Sequence, residues 1–136
     1  MNKDVEIRVK GTHSSDGKQE TFETLCSGVY YLKNKKHYFS YQEETEQGKV
    51  KSIIKVKDKA MEVIKSGAVN MHLFLEPGKV INCTYDTPFG NIPIEIYTEY
   101  LNMYIENNHI KVDVSYEMQN NGEVIAGCKL LVEAGN

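Results

Sequence analysis

The sequence predicts an all-β protein, a single antiparallel up-and-down β-barrel of about ten strands that closes on itself. Three observations support this fold class. Apolar and polar residues alternate in short runs from Val5 to Val132, and small polar turns separate the runs. The connecting loops are short enough for hairpins, which favours neighbouring strands in chain order. Two runs are long and change phase, as strands do where a β-bulge bends them.

We expect one domain covering residues 1–136, because a chain of 136 residues can bury one core and is too short for two. The ten expected strands lie near residues 3–12, 19–32, 37–44, 49–57, 59–65, 69–76, 79–86, 91–106, 109–119 and 123–133. In the second of them the alternation changes phase at Gly28, so we predict a glycine bulge there.

The middle hairpins can be tested by asking whether paired strands bring their apolar residues to one face. A turn at Gln47-Gly48 sets Tyr41 opposite Ile54 and Phe39 opposite Val56. The other face then carries two charge pairs, Glu46 with Lys49 and Glu44 with Lys51. A loop at 66–68 sets Val63 against Met71 and Met61 against Leu73. Both hairpins therefore agree on one apolar face.

The alternation is less decisive after a turn predicted at Pro77-Gly78, where Glu76 lies beside Lys79. The pairs Phe74/Ile81 and Leu75/Val80 are both apolar, so the inward face of strand 79–86 stays open. The strand near 91–106 changes phase once, and we predict a bulge between Thr98 and Tyr100. A short helix over 97–106 is the alternative interpretation.

The last two hairpins share an apolar face with each other. A two-residue turn at Asn107-Asn108 pairs Ile105 with Ile110, Met103 with Val112 and Leu101 with Val114. A three-residue loop at 120–122 pairs Met118 with Val124, Tyr116 with Ala126, Val114 with Cys128 and Val112 with Leu130. This agreement favours a bulge over a helix in the preceding strand.

Composition excludes several classes of protein. A net charge of −3 argues against a protein devoted to nucleic acid, whose domains usually carry a basic excess. No apolar run approaches the roughly 20 residues of a membrane helix. The outward strand positions are Lys, Glu, Asp and Asn, which does not suit a membrane barrel. Residues 1–5 enter the strand pattern without an apolar signal segment, so we expect a cytoplasmic protein.

Cysteine and histidine residues do not predict a metal site or a cofactor. The three cysteines are far apart and fit strand patterns, so we expect buried, reduced thiols at Cys26, Cys83 and Cys128. Zinc sites need paired ligands at short spacing, and the sequence has none. We expect surface or rim positions, without titratable partners, for His13, His37, His72 and His109.

Several sequence blocks resemble a known family. The blocks are Ser40-Tyr41-Gln42-Glu43-Glu44, the run 48–56 (GKVKSIIKV), the run 66–71 (SGAVNM) and Pro88-Phe89-Gly90. In order and spacing they are similar to conserved blocks of the YwiB-like family of bacterial proteins. The resemblance implies a calycin-like barrel related in shape to lipocalins. It supplies no catalytic residue, because the biochemical role of that family is not established.

The predicted registers suggest residues for a ligand site in the barrel interior. A barrel of eight to ten strands can enclose a small ligand in a cavity of roughly 300–1,000 Å³, or fill itself with side chains. The candidate lining residues are Phe39, Tyr41, Glu43, Ser52, Met71 and Tyr116. Glu43 is the one charge that the register turns inward, opposite Ser52, and a solvated position at the barrel rim is the alternative for it.

A second hypothesis uses the outer face of the barrel. Lysines of one parity line one strand, with Tyr38 outward on its neighbour, and we name Lys49, Lys51, Lys55 and Lys57 as candidate contacts to an acidic partner. Solubility and protection of strand edges explain the same lysines without a partner. A third hypothesis is an enzyme built on Glu43, although the sequence contains no catalytic motif.

Overall fold

The computed structural model describes residues 2–87 and 90–135, and these form ten antiparallel strands. The strands are β1 (Asn2–Ser15), β2 (Lys18–Lys33), β3 (Lys36–Thr45), β4 (Gly48–Lys57), β5 (Ala60–Gly67), β6 (Met71–Leu75), β7 (Val80–Thr87), β8 (Gly90–Glu106), β9 (His109–Asn120) and β10 (Glu123–Gly135). All ten expected strands are confirmed.

Each strand pairs with its neighbours in the chain, and β1 closes the barrel by pairing with β10, for example at Val9↔Val132. The closed up-and-down barrel is therefore confirmed. Because every pairing is antiparallel, successive turns lie at opposite ends of the barrel. We call the end with the β1–β2, β3–β4, β5–β6 and β9–β10 connections the mouth, and the other end the base.

Three predicted hairpin registers differ from the structure by two residues, and each correction leaves the inward face unchanged. Between β3 and β4 the turn is Glu46-Gln47, so Tyr41 lies opposite Ser52 and Phe39 opposite Ile54. Thr45 causes this choice, because its hydroxyl accepts a hydrogen bond from the Gln47 amide and donates one to the Gly48 carbonyl. The side-chain pattern repeats every two residues, so it cannot separate these registers.

The two other corrections have similar causes. Residues 66 and 67 stay in β5 because they pair with β4, which sets Val63 opposite Leu73 and Lys65 opposite Met71. Between β9 and β10 the turn is Asn121-Gly122, both with positive φ, and a bulge between Val124 and Ala126 follows. The observed pairs are Ala126↔Met118, Cys128↔Tyr116, Leu130↔Val114 and Val132↔Val112. The Asn107-Asn108 hairpin has the predicted pairs.

One predicted bulge is confirmed and the other is wrong. The register of β8 against β9 shifts between Thr98 and Tyr100, and no helix forms there. In contrast, β2 keeps one register with β1 throughout and has no bulge at Gly28. The apolar residue Tyr31 lies on the outer face instead, where its ring stacks on Tyr38 with centroids 4.6 Å apart. The alternation in β2 appeared to change phase because Tyr31 packs against Tyr38 on the outer face, and the strand itself does not change face.

The structure also decides the face of β7. The Pro77-Gly78 turn forms with a hydrogen bond from the Lys79 amide to the Glu76 carbonyl. Leu73 and Leu75 are buried on β6, and on β7 the Ile81 side chain is half-buried whereas Val80 is exposed. Ile81 and Cys83 therefore lie on the inner face of β7, and Val80 and Asn82 lie on its outer face.

The base half of the barrel is filled with side chains. Its largest fully buried apolar residues come from eight strands: Ile7, Phe39, Ile54, Val56, Met61, Leu75, Ile96, Val112, Val114 and Val132. Together these residues fill the interior of the base half in the part of the chain that the structure describes.

Candidate ligand-binding cavity

The mouth half of the barrel contains a cavity of about 500 Å³. Its described lining residues are Gly11, Thr12, His13, Phe22, Lys65, Val69, Met71, His72, Leu73, Cys83, Thr84, Ile94, Ile96, Tyr116, Met118, Cys128, Lys129 and Leu130. The volume lies in the range typical of small-molecule pockets, roughly 300–1,000 Å³. The barrel is thus packed at its base and open at its mouth.

Most of the cavity wall is apolar. Leu73 and Ile96 are buried and separate the cavity from the packed base. At the rim, Phe22 is 54% exposed and its ring lies over Gly11, where a methyl group would approach the ring to 2.1 Å. Gly11 therefore leaves the space that this aromatic ring occupies. An apolar molecule that enters the cavity would remove Phe22 and the wall from water.

An ion pair lies next to the cavity on the inner face of the barrel. Lys65 Nζ lies 3.5 Å from Glu43 Oε1, and the two side chains are 27% and 18% exposed. Thr24 Oγ1 donates a long hydrogen bond of 3.5 Å to Glu43 Oε2. Inward charges are costly unless they are paired, and each of these two offsets the other. Glu43 is therefore half-buried and paired, rather than a freely solvated carboxylate.

The groups around Glu43 are held in their neutral forms. Burial is the main reason that the pKa of Tyr41 is raised to about 12, and the nearby Glu43 carboxylate is a smaller cause that acts in the same direction. Burial is also the main reason that the pKa of the Cys26 thiol is raised, with Glu43 as the second cause. Both effects disfavour a second negative charge beside Glu43.

The wall next to this ion pair is incomplete. Strands β2 and β3 pair only from Gly28↔Tyr41 to Lys33↔Lys36. Toward the mouth, residues 18–27 of β2 pair with β1, and no pairing with β3 is present in the described chain. The contact between Thr24 and Glu43 crosses this seam. The ion pair thus lies where side-chain contacts, rather than backbone pairing, connect β2 to β3.

The six predicted lining residues divide into three groups. Met71 and Tyr116 line the cavity. Phe39, Tyr41 and Ser52 are buried in the packed interior and do not line it. Glu43 faces inward, as predicted, but lies opposite Val50 rather than Ser52 because of the register correction.

The most important residue that the sequence analysis missed is Lys65. Met61, Val63 and Lys65 alternate along β5, and the first two are buried on the inner face. The same alternation therefore places Lys65 inward, so its position could have been predicted. The cavity itself could not, because its size depends on side chains from strands that are not neighbours.

The lysines of the second hypothesis lie on the outer face, as predicted. Lys49, Lys51 and Lys57 are exposed, and Lys49 forms an ion pair of 3.8 Å with Glu44. Lys55 Nζ lies 5.7 Å from the centre of the Tyr38 ring. A surface groove near the base includes Lys36, Lys55, Lys57 and Lys59 together with Phe74, Asp58, Glu62 and Glu76. Carboxylates therefore share this groove with the lysines.

The histidines depart from the sequence prediction, because three of them have polar partners on a neighbouring strand. His37 Nδ1 lies 2.8 Å from the Tyr30 hydroxyl, and burial lowers the pKa of His37. His72 contacts Glu62, and His109 Nε2 lies 3.1 Å from Glu133. Cys26, Cys83 and Cys128 are free thiols, and only Cys128 is fully buried. The described residues contain no cluster of three or more metal ligands.

Comparison with known proteins decides the family. A family model described as a domain of unknown function, DUF1934, matches residues 7–132. The chain belongs to this DUF1934 family. The uncharacterized beta-barrel protein YwiB of Bacillus subtilis (strain 168) is 32% identical over 114 residues, which cover 84% of this chain and 80% of YwiB. The predicted YwiB-like relationship is thus confirmed.

A solved structure also supports the YwiB-like relationship of this chain. The crystal structure of the ywiB protein from Bacillus subtilis matches with a TM-score of 0.84 and 29% identity, covering 99% of this chain and 94% of that one. The descriptions of the family and of YwiB assign no activity, so the function must be argued from the cavity. In the part of the chain that the structure describes, no helix has the length and apolar character to cross a membrane.

Proposed function

We propose that this protein is a binding protein that holds one small apolar or amphipathic molecule in the mouth cavity. The observation that carries the proposal is the cavity of about 500 Å³ with a mainly apolar wall. Because the cavity opens at the mouth, its apolar wall is in contact with water, and this contact is unfavourable. A bound apolar molecule would remove the wall from water and would cover Phe22, which is 54% exposed.

The strength of binding follows from the apolar surface that the ligand loses. Each buried methylene group contributes about 0.8 kcal/mol, which is roughly a fourfold gain in affinity. A homologous series of neutral alcohols should therefore bind more tightly as the chain lengthens, until the cavity is full. Affinity that does not change with chain length would contradict an apolar site.

The direct test uses a neutral apolar fluorescent probe, N-phenyl-1-naphthylamine, and a variant that fills the cavity. Cys83 and Asn82 are adjacent on β7, but only Cys83 lines the cavity, and Asn82 is exposed. The change Cys83→Phe should abolish the rise in probe fluorescence, and Asn82→Phe should leave it unchanged. Thermal unfolding of both variants shows whether they remain folded. Equal binding by the two variants would place the probe outside the cavity and refute the proposal.

The outer lysines carry a second candidate function, contact with an acidic partner. Its support is the stacked pair Tyr31 and Tyr38 with Lys55 beside it, since aromatic rings and basic side chains together suit single-stranded nucleic acid. The test is a salt-dependent mobility shift of a single-stranded RNA oligonucleotide with wild type and Lys55→Glu. Absence of any shift at low salt would exclude this candidate.

We place the proposed function in the cytoplasm. Three free thiols, two of them on the wall of the cavity, support a reducing compartment, because secreted proteins usually form disulfides. Fractionation of the host cell, followed by immunodetection of this chain, tests the location.

A further inference from the structure

We propose that the ligand carries an anionic group, such as a carboxylate, and that Lys65 binds this group at the mouth while the apolar part extends toward Leu73 and Ile96. This inference rests on the proposed function, because it concerns the same cavity. It adds the chemical class and the orientation of the ligand.

The charge of the cavity wall favours an anionic group on the ligand. Among the described lining residues, four are basic and none is a carboxylate: His13, Lys65, His72 and Lys129. Lys65 and His13 occupy inward positions of β5 and β1, whereas His72 and Lys129 are exposed on outward positions. A negative group in the cavity would therefore meet Lys65 and His13 first, and a positive group would be repelled by Lys65.

Lys65 also has hydrogen-bonding capacity left for a ligand. An ammonium group has three donors, and the described structure gives Lys65 one charged partner, Glu43 at 3.5 Å. Glu43 is not part of the cavity lining and contacts Thr24 on its other side. Glu43 thus occupies one side of the ammonium group, and donors remain for a ligand in the cavity.

The position of Lys65 near the mouth sets the orientation of the ligand. Lys65 is the last inward residue of β5 before Gly67, where the strand ends at the mouth. Its side chain is 27% exposed, so a charged group beside it keeps part of its hydration. Leu73 and Ile96 are buried at the inner end of the cavity and offer no polar partner to a charged group. An amphipathic ligand consequently fits with its charge outward and its apolar chain inward.

The experiment compares two probes of equal chain length, decanoate and 1-decanol, by displacement of N-phenyl-1-naphthylamine at pH 8. Wild type should bind decanoate about tenfold more tightly than 1-decanol, as expected for one partly buried charge-assisted contact. Lys65→Met should lose this preference and keep its affinity for 1-decanol. Lys51→Met, an exposed lysine of the adjacent strand β4, should retain the wild-type preference.

Removal of Lys65 leaves Glu43 without its partner and can destabilise the barrel, so the double variant Lys65→Met/Glu43→Gln is measured as well. It removes both members of the ion pair, so neither charge is left without its partner, and it should also bind both probes equally. If wild type binds 1-decanol as tightly as decanoate, the inference is wrong and the cavity still binds apolar molecules. If neither probe nor the fluorophore binds, the proposed function itself fails. A Lys65→Met variant that keeps the preference also overturns the inference.

Discussion

Replacement of Gly28 by alanine tests the packing of the barrel wall beside the cavity. Gly28 lies in the middle of β2, and its backbone passes directly over two buried side chains. A Cβ atom at this position would lie 2.5 Å from Ile7 Cδ1, 2.5 Å from the Ser40 carbonyl oxygen and 3.1 Å from Tyr41 Cβ. The two shorter distances are roughly 1 Å below ordinary contact. Because one obstacle is backbone, a side-chain rotation cannot relieve the clash.

The expected cost follows from these contacts. Ile7 and Tyr41 are buried, so neither can move into solvent. Adding a methyl group to a well-packed core costs about 1–3 kcal/mol, and the fixed carbonyl of Ser40 places Gly28→Ala toward the upper end. For a chain of 136 residues, each kcal/mol lowers the midpoint of thermal unfolding by about 3–4 °C. For a cost of about 2–3 kcal/mol, we therefore expect a decrease of about 6–12 °C.

The assay is thermal unfolding followed by circular dichroism, with Gly127→Ala as the matched control. Gly127 also lies in a strand, but a Cβ atom there would meet nothing within 4 Å. Alanine at position 127 should leave the midpoint unchanged or raise it slightly, because alanine loses less backbone entropy on folding. A Gly28→Ala variant that unfolds within 2 °C of wild type would refute this description of the wall.

Three further predictions concern single contacts. Because burial raises the pKa of Tyr41 to about 12, its neutral form stabilises the fold below pH 10, and this contribution is lost as the pH rises from 10 to 12. Tyr41→Phe should therefore gain about 1 kcal/mol relative to wild type between pH 9 and 11, as measured by urea unfolding. The lowered pKa of His37 has the opposite sign, so wild type should lose stability as the pH falls below about 6.5, and His37→Gln should show a flatter dependence in the same assay. The buried Ser115 hydroxyl donates a hydrogen bond of 2.8 Å to Glu99, so Glu99→Ala should lower the free energy of unfolding by about 1 kcal/mol. Adding Ser115→Ala should recover part of this loss, and full additivity of the two changes in a double-mutant cycle would contradict the contact.

The strand order, most of the inward faces and one bulge were predictable from the alternation of side chains, but the face of strand 79–86 and the outward position of Tyr31 were not. The registers of three hairpins were not, because a shift by two residues keeps every side chain on its face. Thr45 shows what decides the register: its hydroxyl binds both the Gln47 amide and the Gly48 carbonyl and so selects the turn. Such local hydrogen bonds between side chain and backbone help to select the turn. They leave no trace in the alternation of apolar residues, so the alternation does not predict the register.

The candidate site was predictable only in part. Glu43 faces inward, as the alternation predicted, and Met71 and Tyr116 lie on the wall of the cavity. Phe39 was assigned to the same lining, but it fills the base, because depth along the barrel axis depends on strand stagger rather than on face. Lys65 could have been found from the same alternation, and it supplies both the partner of Glu43 and the basic group of the cavity.

The central claim is that the mouth cavity is the binding site, and amide chemical-shift mapping with decanoate tests it most directly. The structure predicts that the largest shift changes come from cavity residues such as Met71, Cys83, Ile94 and Met118. Residues of the packed base, such as Ile54, should not respond. Saturable changes confined to the outer lysine groove, or no changes at all, would contradict the claim.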